Sequence, residues 1–97
     1  MRLSEYQREA IKTSAAKHFG NTVRVFLFGS RVDDNKKGGD IDIYIETDLI
    51  EAIFDKKIKM LVELQKELGE RKIDIVINNF KLHSTIFEVA RNEGIML

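Results

Sequence analysis

Isoleucine takes every second position in two places, "DIDIYIE" at 40–46 and "KIDIVI" at 72–77. Side chains alternate across a β-strand, so each run can only fold as a strand with one face in a core. In the first, Ile41, Ile43 and Ile45 share the buried face, while Asp40, Asp42, Tyr44 and Glu46 share the other. In the second, Ile73, Ile75 and Ile77 oppose Asp74. Aspartate is a poor strand former, so two aspartates on one face at 40 and 42 cost stability unless a neighbour makes use of them.

The remaining elements follow from caps and periodicity. Ser4 and Gln7 form a capping box for a helix over 4–19, with Ile11, Ala15 and Phe19 as its stripe and Gly20-Asn21 as its stop. Residues 23–28 are rich in β-branched and aromatic side chains on both faces, which predicts a strand inside the sheet. A helix is expected over 48–68, interrupted early, with Ile50, Phe54, Ile58, Leu61, Leu64 and Leu68 as its apolar side and Gly69 as its end. Asn78-Asn79 turns the chain into a helix over 82–92 with Leu82, Ile86, Val89 and Ala90 inward, and 95–97 pack or pair at the terminus. The expectation is an α/β (α+β) fold in which a small mixed sheet of three or four strands carries helices on its isoleucine face and leaves the carboxylate face open. Residues 1–97 suffice for a single domain.

Composition excludes several functional classes. With 43% apolar and 33% charged residues the chain has the make-up of a folded globular protein. The absence of cysteine removes disulfides and thiolate metal sites. No apolar run approaches the roughly 20 residues of a membrane span, and the amino terminus lacks a signal-peptide core, so a cytoplasmic location is expected. Lysine plus arginine equals aspartate plus glutamate at 16 each, which gives no reason to expect a binder of long nucleic acid.

Three features converge on the carboxylate face. Gly29-Ser30 directly follows a strand; glycine permits a sharp turn and a close backbone approach, and the serine hydroxyl with the following N–H groups can hold phosphate oxygens. Most such pairs are simply turns. Asp40 and Asp42 project to one side and repel unless a cation lies between them, and hard oxygen ligands of this kind suit Mg²⁺ or Mn²⁺. The plain alternative, outward polar residues on a half-exposed strand, has equal weight for this pair alone. Asp74 joins the same face if both strands share a sheet, and three such carboxylates can bind two metals for phosphoryl or nucleotidyl transfer.

Gly29-Ser30, nine residues, Asp40-Ile41-Asp42 and a later Asp74 in "KIDIVI" resemble the signature of the nucleotidyltransferases related to DNA polymerase beta. The "FGSR" start and the closing "EVARNEGIML" look more specifically like the minimal nucleotidyltransferase (MNT) family, the antitoxin half of HEPN–MNT toxin–antitoxin pairs. The resemblance implies a polymerase beta-like fold in which Gly29 and Ser30 hold the triphosphate, Asp40 and Asp42 bind two Mg²⁺ ions, and Asp74 completes the second site or helps deprotonate the acceptor. It implies transfer of AMP from ATP to a hydroxyl of a HEPN ribonuclease, with pyrophosphate released. Gly38-Gly39 precedes Asp40 where relatives usually have a serine, the loop is slightly shorter, and the chain stops at Leu97 where many members run on. Two other readings stand beside this one: a non-catalytic binding antitoxin on the same scaffold, and a transferase acting on RNA or a small molecule. Association with itself or with another chain is left open.

Neighbouring residues carry secondary expectations. Arg31 is placed to contact phosphate, with a surface cation the alternative; Lys36 and Lys37 keep the loop in solvent or steer a triphosphate. Tyr44 either stacks on a base or is a partly buried strand residue. His18 and His83 are expected at the surface.

Overall fold

The alternating isoleucines line one face of a four-stranded sheet. The computed structural model describes residues 4–29, 41–49, 51–69, 72–80 and 84–97. The elements run α1 (Glu5–Phe19), β1 (Arg24–Phe28), β2 (Ile41–Glu46), α2 (Ile53–Leu68), β3 (Ile73–Asn78), α3 (Thr85–Glu93) and β4 (Ile95–Met96). Sheet order is β3-β2-β1-β4: β1 is antiparallel to both β2 and β4, and β2 is parallel to β3. Parallel neighbours need a crossover, and α2 supplies it. β1 lies inside the sheet, as its two apolar faces require, because the chain end returns beside it; the Leu97 N–H donates to the Val25 carbonyl at 2.8 Å.

Register sorts the side chains into rows. On one face Leu27, Ile43 and Ile75 align, with Val25, Ile45 and Ile77 beside them. Ile11, Ala15 and Phe19 of α1 and Met60, Leu64 and Leu68 of α2 cover these rows and form the main core. The start of α1 is closed as its sequence demands: the Gln7 N–H donates to Ser4 Oγ at 3.1 Å, and the Ser4 N–H donates to Gln7 Oε1 at 3.0 Å.

Three local expectations need correction. Helix α2 begins at Ile53, after Ala52 in a left-handed conformation, and its buried side is Met60, Leu64 and Leu68; Phe54 and Ile58 face outward, and Ile50 lies outside the described residues. The helix is apolar over two adjoining arcs, and the sheet covers only one of them. Helix α3 does not join α1 and α2 but packs on the opposite face, where Ala90 and Phe87 meet Phe26 and Tyr44. Ile86 and Val89 are consequently exposed, and Leu82 lies outside the described residues. The third correction concerns His18, whose side chain is only 13% exposed, with Nε2 3.4 Å from Glu63 Oε2 in the α1–α2 contact; His83 lies outside the described residues. Lys17 adds its ammonium to the same carboxylate at 2.9 Å and, as the main cause, holds the Glu63 carboxyl down at about 2. No described helix is long and apolar enough to cross a membrane.

Candidate active site

On the face opposite the main core, the register produces three rows running across β1, β2 and β3. They are Phe28–Asp42–Asp74, Phe26–Tyr44–Val76 and Arg24–Glu46–Asn78. The first places two carboxylates as direct neighbours, because Asp42 and Asp74 are register partners in parallel strands, about 4.8 Å apart in backbone. The alternation in each strand turns both away from the isoleucine core, and burial of Ile41, Ile43, Ile73 and Ile75 prevents a slip that would separate them.

Gly29 closes this end of the sheet. Its φ is +76°, a conformation that side chains disfavour, and a Cβ there would lie 2.2 Å from Asp42 Oδ2. Glycine therefore serves the carboxylate twice, by permitting the turn after β1 and by leaving the space that Asp42 occupies. Asp74 has a half-exposed side chain, 51% accessible, with the Lys72 ammonium 3.9 Å away. Exposed ion pairs of that length hold a carboxylate only weakly.

Asp40, Ser30 and Arg31, with Lys36 and Lys37, lie outside the described residues. Among the described residues no group of three or more histidine, cysteine, aspartate or glutamate side chains gathers as a metal site, and the expected third carboxylate is Asp40. The two that are described are oxygen donors of the kind Mg²⁺ takes, a few carboxylates with phosphate and water completing the shell.

The middle row is covered. Tyr44 is 1% exposed, with its ring 5.5 Å from that of Phe26 and 6.0 Å from that of Phe87, so it is not available to stack on a base. The expectation of an entirely open carboxylate face fails here, because β1 and β2 present two aromatic rings that need a cover and α3 provides it.

The third row holds a network with no counterpart in the sequence reading. The Tyr44 hydroxyl donates to Glu46 Oε2 at 2.8 Å and accepts from Asn78 Nδ2 at 3.0 Å. Arg91 of α3 lies 3.5 Å from Glu46 Oε2, and Arg24 of β1 lies 3.9 Å from Oε1. Glu46 is only 3% exposed in its side chain, and these partners surround its buried oxygens. Burial pushes the Tyr44 phenol pKa up, which keeps the proton on the hydroxyl that Glu46 needs. Asn78, expected in a turn, instead ends β3 and also accepts the Phe80 N–H at 2.8 Å.

The two ends of one sheet face thus differ in kind: a satisfied, buried carboxylate beneath α3, and an adjacent pair of aspartates beside a glycine turn. A carboxylate pair on neighbouring strands, one central and one at the sheet edge, with a strand–glycine turn against the first of them, is the arrangement expected of a polymerase beta-like transferase. No curated protein matches the chain. Residues 9–97, however, match the family model described as polymerase beta, nucleotidyltransferase, and on that match, which spans all four strands, the chain belongs to the polymerase beta nucleotidyltransferase family.

Proposed function

We propose that this nucleotidyltransferase domain is a Mg²⁺-dependent enzyme that moves AMP from ATP to a hydroxyl of a partner protein, and that the partner is a HEPN ribonuclease toxin which the modification silences. The observation that carries the reading is the side-by-side placement of Asp42 and Asp74, with Asp42 against Gly29.

In this reading Asp40 and Asp42 hold Mg²⁺, and Asp74 completes a second site or accepts the proton of the attacking hydroxyl. The Gly29 turn and Ser30 hold the triphosphate, and Arg31 contacts a phosphate oxygen. The acceptor oxygen forms a bond to the α-phosphorus, the bond from that phosphorus to the bridging oxygen breaks, and pyrophosphate leaves with the electron pair. Bound Mg²⁺ supplies neutralisation of the charge on the phosphate oxygens. The half-exposed position of Asp74 suits a group that must meet a second macromolecule.

The test is incubation of the purified protein with α-labelled ATP, Mg²⁺ and the product of the adjacent reading frame. Label is expected on that product and is expected to disappear with Asp42→Asn. If no label transfers and Asp42→Asn still neutralises the partner, the protein acts by contact alone on a transferase scaffold. Label on added RNA or on a small hydroxyl compound would move the acceptor to that class.

A further inference from the structure

Helix α2 has a second apolar face that none of the described residues covers. Phe54, Ile58 and Val62 recur at intervals of four and are 74%, 40% and 46% exposed. They form one ridge about 12 Å long, two helical turns. The partly buried Leu61 continues this surface toward the core. Exposure of three large apolar side chains in a line is unfavourable for an isolated domain and marks a contact surface.

The charges around the ridge are segregated. Both glutamates in the second half of α2 are engaged with α1: Glu63 with Lys17 and His18, and Glu67 as acceptor of the Tyr6 hydroxyl. Asp55 is paired with Lys59 at 3.1 Å. Lys57 borders the ridge three residues after Phe54, Lys66 ends it four residues after Val62, and neither has an ion-pair partner among the described residues. Glu51 precedes the helix, three residues before Phe54, and along the helix itself the charge beside the ridge that lacks an ion-pair partner among the described residues is positive.

From this we infer that the Phe54–Ile58–Val62 ridge docks an amphipathic helix of another protein whose apolar stripe is flanked by aspartate or glutamate. A ridge of i, i+4 side chains fits the groove of a second helix, and acidic flanks answer Lys57 and Lys66. A second copy of this chain is disfavoured, because ridge-to-ridge pairing brings lysines against lysines. A membrane-surface helix needs a broader apolar arc than one ridge. Helix α2 lies on the isoleucine face of the sheet, opposite Asp42 and Asp74, so an occupant here does not cover the carboxylates. The inference therefore does not depend on nucleotidyl transfer.

The test uses two helical peptides with the same leucine stripe, one flanked by glutamate and one by lysine, titrated against the full chain by fluorescence anisotropy. The glutamate peptide is expected to bind at least about tenfold more tightly than the lysine peptide, to weaken as salt is raised, and to lose at least about tenfold in affinity with the Phe54→Ser/Ile58→Ser double variant. Because both side chains are exposed, that variant should keep the wild-type circular dichroism spectrum. Asp42→Asn should bind the peptide as the wild type does, which separates failure here from failure of the catalytic reading. The inference is overturned if the glutamate peptide does not bind, if the two peptides bind equally, or if the double variant binds unchanged. A concentration-dependent dimer abolished by the double variant would reassign the ridge to a second copy, and phosphatidylserine vesicles retained by the wild type alone would reassign it to a membrane; either result overturns the helix partner.

Discussion

The two ends of the carboxylate face of the sheet begin from the same sequence rule and reach opposite solutions. At one end Glu46 is buried and surrounded by a tyrosine hydroxyl and two guanidinium groups within 3.9 Å. At the other, Asp42 and Asp74 are strand neighbours of like charge, and Asp74 is half exposed. A carboxylate with several fixed partners is committed to the fold. Two like-charged carboxylates held beside each other by register, one of them packed against a glycine turn, are what the proposed chemistry would use. Alternation alone cannot separate these cases; burial and partners do.

The sharpest way to break the contrast is Asp42→Asn. It should lower nucleotidyl transfer by on the order of a thousandfold, measured as label transferred per unit time, while relief of the like-charge repulsion with Asp74 offsets part of any cost to thermal stability. A large loss of stability would mean that Asp42 is structural, as Glu46 is. Gly29→Ala should come next. Its Cβ would displace the Asp42 carboxylate and strain a positive φ, so activity should fall by about a hundredfold or more, with a loss of about 1 kcal/mol in stability from denaturant titration.

At the other end the expected effects reverse. Glu46→Ala leaves the buried Tyr44 hydroxyl without its acceptor and removes the ion-pair partner of the half-exposed Arg24 and Arg91, and should destabilise the fold by about 1 to 3 kcal/mol, read from the urea midpoint. Tyr44→Phe keeps the aromatic packing but deletes the central hydroxyl, for a loss of about 1 to 2 kcal/mol. Nucleotide binding by the folded fraction of either variant should stay close to wild type.

Much of this was legible in the sequence, for reasons that particular residues make plain. The period of two at Ile41–Ile45 and Ile73–Ile77 specifies both strands and the faces they bury. The intervening helix dictates that they run parallel, and that brings Asp74 beside Asp42. What escaped depends on contacts between distant segments. Arg91 meets Glu46 across 45 positions, and no local pattern announces such a pair. In α3 both Ile86 with Val89 and Phe87 with Ala90 offer an apolar side, and the choice is made by Phe26 and Tyr44 on the far face of the sheet. In α2 the apolar arc exceeds what the sheet can cover, so its stripe predicted burial for Phe54 and Ile58 that their neighbours do not provide.

Glu63 extends the comparison to a fourth carboxylate and gives the smallest effect. Its folded pKa of about 2 lies below the ordinary 4.5 because Lys17 binds the charged form. The stability it contributes is thus present above pH 4.5 and lost as pH falls from there toward 2. Partial exposure limits this to about 1 kcal/mol. Acid titration of the wild type and of Glu63→Gln, followed by circular dichroism, should show a shallower loss of stability for the variant over that interval.

The central claim is that Asp42 and Asp74 serve a metal-bound nucleotide. Calorimetric titration of ATP into the wild type, Asp42→Asn and Asp74→Asn, each with Mg²⁺ and with a chelator, tests it most directly. The account predicts binding by the wild type that requires Mg²⁺, weakened at least about tenfold by either substitution. Equal ATP affinity with and without Mg²⁺, unchanged in both variants, would contradict it.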